Sequence, residues 1–236
     1  MHSFANQNSV QLIRAVLFDL DGTLVDSEPL WHRADARWLS DHNITLSDDE
    51  WVHIIGMGGG PFVRMLQKEK GLAGDYHQLL EEKNEVFRAM AATESVAFPE
   101  MLRFAHGIRS RGVKTAIASA SSIGIIETTL QCIGELDSFD MEFSADMVER
   151  SKPEPDLFLF AARELGVEPE QCLVIEDSQY GVEAGKRAGM TVVGVPYHIP
   201  LESRYRFESA DLLFSRGMAE FSAEVLFQWL EDRNLI

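Results

Sequence analysis

No apolar run in this chain approaches the ~20 residues that a membrane-spanning helix needs, so a membrane is not an expected partner. Cysteine is nearly missing as well. Cys132 and Cys172 are the only two, neither sits in a CxxC pair, and the reading they support is a pair of apolar thiols in a reducing compartment rather than a disulfide framework. Positive charge is scarce: 21 Lys and Arg stand against 38 Asp and Glu, a formal net charge of −17. A surface of that sign repels nucleic acid and anionic lipid at long range, and neither is expected to bind. Repeats, low-complexity tracts and blocks of like charge are also absent. What remains is an ordinary globular composition, 45% hydrophobic and 25% charged over 236 residues, with enough chain to bury a large core unaided. The polar opening, Met1 to Val10, lacks the apolar centre of a signal peptide, so a cytoplasmic protein is expected, and a monomer.

The strand signals are unbroken rather than alternating. Ile13 to Phe18, Val113 to Ala118, Cys172 to Ile175 and Thr191 to Val195 are short β-rich apolar runs, with weaker ones at Phe139 to Phe143 and Asp211 to Phe214. Runs of that kind suit strands of a parallel sheet, buried on both faces. Helical stretches separate them: Pro99 to Arg111, Ser122 to Cys132, Glu154 to Leu165 with Pro155 in its first turn, and Gln179 to Ala188. Strand–helix alternation predicts a doubly wound α/β fold with a Rossmann-like parallel sheet. One segment breaks the pattern. Between Pro29 and Phe98 there is no convincing strand, only helices at Leu30 to Asp41, Ser47 to Ile55 (Ser47 and Glu50 forming a capping box), Pro61 to Lys70 and Asp75 to Ala92. The expected organisation is therefore a core of residues 1–28 and 99–236 carrying an inserted all-helical unit, residues 29–98.

Chemistry collects where the strands end. The first runs into Asp19-Leu20-Asp21-Gly22-Thr23, the second into Ser119-Ala120-Ser121, the fourth into Glu176-Asp177, and Lys152 lies in the loop Ser151-Lys152-Pro153. Carboxyl ends of parallel strands face one crevice, so these residues should converge although far apart in sequence. Asp19, Asp21, Glu176 and Asp177 cannot all ionise side by side without a cation, and hard oxygen donors in an open site suit Mg²⁺. Asp19 and Asp21 point the same way in an extended segment, so one can attack while the other moves protons. Gly22 lets the backbone turn sharply and approach an anion. A lone DxDGT is weak; DxDGT, then Ser, then Lys-Pro, then Glu-Asp-Ser-x-x-Gly, in that order, is specific.

Those four motifs resemble the haloacid dehalogenase-like superfamily of Mg²⁺-dependent phosphohydrolases. The branch they look closest to holds β-phosphoglucomutase and small sugar-phosphate phosphatases. The resemblance implies a Rossmann-like core with a helical cap inserted after the first motif. It implies Asp19 as the nucleophile that becomes an aspartyl-phosphate and Asp21 as general acid/base. Ser119 and Ala120 would hold the phosphoryl group, with Lys152 balancing its charge. Asp177, Asp19 and the Asp21 carbonyl would ligate Mg²⁺, with Glu176 supporting that shell. The expected partner is a small phosphorylated metabolite, hexose or 2-deoxyhexose phosphates leading. A phosphosugar mutase is the alternative, although the mutase pattern has a histidine ten residues after the second aspartate, where this chain has Trp31. A phospho-acceptor signalling module fits poorly, because receiver domains place their acidic pair and acceptor differently and lack such an insert. A catalytically dead binding protein fits poorly too, since no motif residue is missing.

Some residues invite over-reading. Gly56-Met57-Gly58-Gly59-Gly60-Pro61 follows no strand and reads as a flexible turn near the substrate rather than a P-loop. Lys83 matches loosely a cap lysine that relatives use on substrate, but a solvated helix lysine is the plainer reading. His32, His42, His53, His77, His106 and His198 show no metal-ligand spacing. Trp31, Trp38 and Trp51 read as packing of the insert, with Trp31 able to line the active-site mouth, and Met57, Met65 and Met90 read as packing. Hinges are expected near Asp26 to Pro29 and Ala97 to Pro99.

Overall fold

The computed structural model describes residues 12–54, 58–197 and 207–236. Met1 to Val10, Gly56, Met57 and His198 lie outside them, as does the side chain of His53. Among the described residues the centre is a parallel sheet. Its strands are β1 (Ala15–Phe18), β2 (Lys114–Ser119), β3 (Met141–Ser144), β4 (Cys172–Glu176), β5 (Thr191–Gly194) and β6 (Leu212–Leu213). They run in the order β3-β2-β1-β4-β5-β6, every pairing parallel. β1 and β4 are buried along their whole length, which is why their sequences carry no polar alternation. Val16 and Phe18 face a cluster with Phe104, Ile108, Leu130 and Leu226, supplied by α5 (Pro99–Ser110), α6 (Ile123–Ile133) and α9 (Ala223–Asp232). Ala15 and Leu17 face the opposite cluster, with Phe158, Ala161 and Val182 of α7 (Asp156–Leu165) and α8 (Gln179–Arg187). A sheet covered on both faces is the doubly wound α/β fold expected from the strand–helix alternation.

Three details differ from the sequence reading. β3 begins at Met141 because Phe139 turns into the core against the Phe18 ring, centroids 5.8 Å apart, and Asp140 caps the edge by accepting from Thr115 N at 2.8 Å. α7 starts at Asp156, with Pro155 before the helix as its N-cap rather than inside the first turn. α9 was not anticipated, although Ser222 caps it by accepting from Val225 N and Leu226 and Leu230 are fully buried.

Between β1 and β2 lie α1 (Glu28–Asp41), α2 (Asp48–Ile54), α3 (Gly59–Glu69) and α4 (Tyr76–Glu94). The capping box forms: Ser47 N donates to Glu50 Oε2 at 2.8 Å and Glu50 N to Ser47 Oγ at 3.4 Å. Asp75 caps α4 by accepting from His77 N and Gln78 N. These helices pack on a cluster of their own around Trp38, Phe62, Leu66 and Leu79. A smaller cluster, Leu30, Ala34, Phe87 and Ala91, takes in Ile125 of α6 and so seats the insert on the core. The two connecting segments run side by side: Val25 and Ala97 form an antiparallel bridge, Asp26 N donates to Val96 O at 2.8 Å and Phe98 N to Leu24 O at 2.9 Å. Among the described residues no helix is long and apolar enough to cross a membrane.

Candidate active site

β1 lies between β2 and β4, so the connections leave it in opposite directions and a crevice opens at its carboxyl end. The chain makes a tight loop there. Asp19 N donates to Ile175 O at 3.0 Å, and Leu24 N and Val25 N both return to Leu20 O at 3.0 Å. Gly22 adopts a φ of +75°, and a Cβ on it would lie 2.3 Å from Asp177 Oδ2. Only glycine lets the loop after β1 pass under the residue that follows β4.

Lys152 enters from the loop before α7. Its ammonium donates to Asp19 Oδ1 at 2.6 Å, to Ala118 O at 2.9 Å and to Glu176. Those partners occupy its three N–H bonds. Glu176 is wholly buried, and its other oxygen accepts from Ser178 N at 3.2 Å and Ser178 Oγ at 3.0 Å. A Cβ on Gly181 would fall 1.8 Å from Glu176 Cδ, so the glycine of the Glu-Asp-Ser-x-x-Gly motif makes room for this carboxylate inside α8. Asp19, Glu176 and Asp177 each offer an oxygen, all within 4.8 Å of one another. Burial pushes the Asp19 carboxyl well above its ordinary value; Lys152 opposes this and Glu176 and Asp21 add to it. Burial likewise raises Asp177, helped by Asp19, Glu176 and Glu28. Burial alone would lower Lys152, but Asp19 and Glu176 outweigh it and hold the ammonium charged. One ammonium against three carboxylates leaves a negative surplus, and the hard oxygen donors fit Mg²⁺.

Asp21 does not bring its carboxylate into that cluster. Oδ1 accepts from Ser27 Oγ at 2.7 Å and Trp31 Nε1 at 2.9 Å, and Oδ2 accepts from Ser121 Oγ at 2.6 Å. The two aspartates of the first motif therefore have separate surroundings two residues apart. Ser119 is buried at the end of β2, where its Oγ accepts from Ser121 N at 3.1 Å, and Ala120 is exposed beside it.

Lys83 corrects the expectation of a solvated lysine. It is 3% exposed, paired with Asp35 at 2.7 Å and placed 4.2 Å over the Trp31 ring. The helix face it occupies is an internal seam of the insert rather than its outer surface. Gly59 and Gly60, expected in a flexible turn, form the first turn of α3. Trp31 packs against Phe87 within the insert, and its indole N–H reaches Asp21 of the core. Ser27 and Glu28 from the segment expected to act as a hinge, Ser121 from the second strand-end motif, and Tyr197 also lie beside the site. Glu28 is pushed up to about 7 by burial, then by Asp21, Asp35 and Asp26. Tyr197 Oη donates to Asp26 Oδ1 at 2.6 Å and so spans the crevice to the first connecting segment. Ser121 belongs to the strand-end motif Ser119-Ala120-Ser121, whereas Tyr197 carries no signal in the sequence.

Residues 13–189 match the model of a family described as haloacid dehalogenase-like hydrolase. The fructose-1-phosphate phosphatase YqaB of Escherichia coli (strain K12) is 35% identical over 185 residues, covering 76% of this chain and 95% of that protein. Hexitol phosphatase B of Escherichia coli (strain K12) is 31% identical over 217 residues, covering 91% and 96%. The crystal structure of CbbY from Rhodobacter sphaeroides in complex with phosphate superposes with a TM-score of 0.75 at 29% identity, covering 89% of this chain and 96% of that one.

Proposed function

The chain belongs to the haloacid dehalogenase-like hydrolase family, and from that premise we propose that it is a Mg²⁺-dependent phosphatase of small sugar phosphates in the cytoplasm. The observation that carries the reading is the division of labour at the end of β1. Asp19 lies among Lys152, Glu176 and Asp177, while Asp21 is held apart by Ser27, Trp31 and Ser121. A nucleophile needs the first setting and a proton carrier the second.

Asp19 attacks phosphorus in line as Asp21 protonates the departing alcohol. Asp21 then takes a proton from the water that cleaves the aspartyl-phosphate. Lys152 balances charge on the phosphoryl group, Ser119 and the N–H groups of Leu20 and Ala120 orient its oxygens, and Glu176 holds Lys152 in place. Asp19, Asp177 and the Asp21 carbonyl would hold Mg²⁺, which when bound supplies charge neutralisation and Lewis acidity at the transferred group. Residues 29–98 serve as the cap over this crevice. The named substrates of the relatives, fructose 1-phosphate and hexitol phosphates, support hexose-sized leaving groups.

The test is phosphate release from a panel of hexose, 2-deoxyhexose, hexitol and pentose phosphates. Release should occur with Mg²⁺, stop with a chelator and disappear in Asp19→Asn, with a loss of at least ~10⁴-fold. Full activity of Asp19→Asn would remove Asp19 as nucleophile. Conversion of β-glucose 1-phosphate to glucose 6-phosphate without free phosphate would show a mutase instead.

A further inference from the structure

Two serines stand side by side where β2 and β3 end. Ser119 and Ser144 are register partners on adjacent parallel strands, so their side chains leave the sheet on the same face. Both are buried. Each takes one end of the same residue: Ser121 N donates to Ser119 Oγ at 3.1 Å, and Ser144 Oγ donates to Ser121 O at 2.8 Å. That carbonyl lies just before Ser122, the N-cap of α6. No backbone N–H among the described residues takes it, because Ile125 N and Ile126 N both end on Ser122 O. The two hydroxyls differ in what they have left. Ser144 Oγ also accepts from Asp146 N at 3.1 Å, so it is used as donor and as acceptor. Ser119 Oγ only accepts, and its O–H has no acceptor among the described residues. One serine is saturated by the protein, and the other keeps a donor for the crevice.

We propose that Ser144 is a positioning residue for the tip Ser119-Ala120-Ser121: by fixing the Ser121 carbonyl from β3 it sets the backbone of that tip, so that the Ala120 N–H and the Ser119 hydroxyl meet the phosphoryl oxygens together. The inference rests on the phosphatase reading, with Ser119 and Ala120 as the residues that hold the phosphoryl group. With the N–H and the C=O of Ser121 both tied, neither peptide plane beside it turns freely. The bond from Asp146 N puts Ser144 at the start of the segment that carries Lys152, so one side chain joins two loops that meet phosphoryl charge. β3 is the edge strand of the sheet, and Phe143 supplies its contact with the core. Alanine would fill the place of Ser144 as well; the hydroxyl serves the loops.

Ser144→Ala tests it, because it removes the hydroxyl and keeps the backbone of β3. The loss concerns the phosphoryl group, which all the esters share, so alkyl and aryl phosphates should suffer alike. With Mg²⁺ present, kcat/KM should fall about tenfold on both fructose 1-phosphate and p-nitrophenyl phosphate, and the inhibition constant of inorganic phosphate should rise by a similar factor. Asp140→Ala is the comparison. It breaks a link between β2 and β3 at the other end of the strands, where Asp140 Oδ2 accepts from Thr115 N at 2.8 Å. It should lower the melting temperature and leave kcat/KM and phosphate inhibition unchanged. Should Ser144→Ala fail to fold, Ser144→Cys, with a weaker donor in nearly the same volume, carries the same expectation. Unchanged rates and phosphate inhibition in the folded Ser144 variant, or equal losses in Asp140→Ala, would overturn the positioning role while leaving a phosphatase. A wild-type protein that releases phosphate from neither ester would overturn the phosphatase reading and this one with it.

Discussion

At the residue scale the site depends on two glycines whose missing side chains admit carboxylates. Gly181 sits inside α8, where glycine costs ~1 kcal/mol against alanine, yet a methyl there would overlap Glu176. Gly181→Ala should therefore destabilise, by about 1–3 kcal/mol, and displace the residue that holds Lys152. Thermal melting should show a fall of roughly 2–12 °C, with turnover reduced at temperatures where the variant is still folded. Glu28 supplies a pH dependence. Its ordinary value of 4.5 is raised to about 7 in the folded chain, first by burial and then by Asp21. Well below pH 4.5 it is protonated folded and unfolded alike. As pH rises toward 7 the unfolded chain ionises first, so folding loses stability across that window, and above it the full penalty remains. In a chelator, Glu28→Gln should thus melt above the wild type at pH 8 and close to it at pH 4. The difference should stay below about 3 kcal/mol, because water at the rim screens the charge. The acids that raise it, Asp21, Asp26 and Asp35, are near neighbours in sequence, but the first cause is burial, which is a property of packing and which no local motif announces.

At the element scale the strands and most helices were legible because each follows a local rule. β1 and β4 are read from apolar runs, α4 from the cap Asp75, and α2 from Ser47 and Glu50. α9 follows the same rules, with Ser222 at its start and buried leucines one turn apart. β3 was displaced by two residues because Phe139 is pulled into the core, a tertiary demand that propensity does not carry. The connecting segments behave as a pair through the Val25–Ala97 bridge, and Tyr197 ties the first of them to the core through Asp26. The insert should close when a phosphate analogue binds, turning about these segments. Spectroscopic labels on α3 and α7 should approach each other on adding Mg²⁺ with a metallofluoride; unchanged separation would mean a permanently seated insert.

At the scale of the whole molecule, a charge of −17 would seem hostile to an anionic substrate. Few of the 38 acids belong to the crevice, and there Lys152 offsets part of their charge and a divalent cation held by Asp19 and Asp177 would reverse the local sign. The rest form a solvated surface that slows the approach of phosphate esters. Screening that surface should raise kcat/KM as ionic strength climbs from about 0.01 to 0.1 M, before the effect saturates. A fall over the same range would show that the crevice field governs capture even at a distance.

Which residues meet at the crevice was readable from the chain alone, because the carboxyl ends of parallel strands must share one edge of the sheet. Asp19, Lys152, Glu176 and Asp177 needed only the strand order to be brought together. How each of them is held belongs to the tertiary structure. The three donors on Asp21 arrive from the first connecting segment, from α1 and from the loop after β2, and Lys83 is buried by a partner on another helix. Hydrogen bonds and ion pairs depend on distances between elements, and those are set by packing rather than by the periodicity within any one of them.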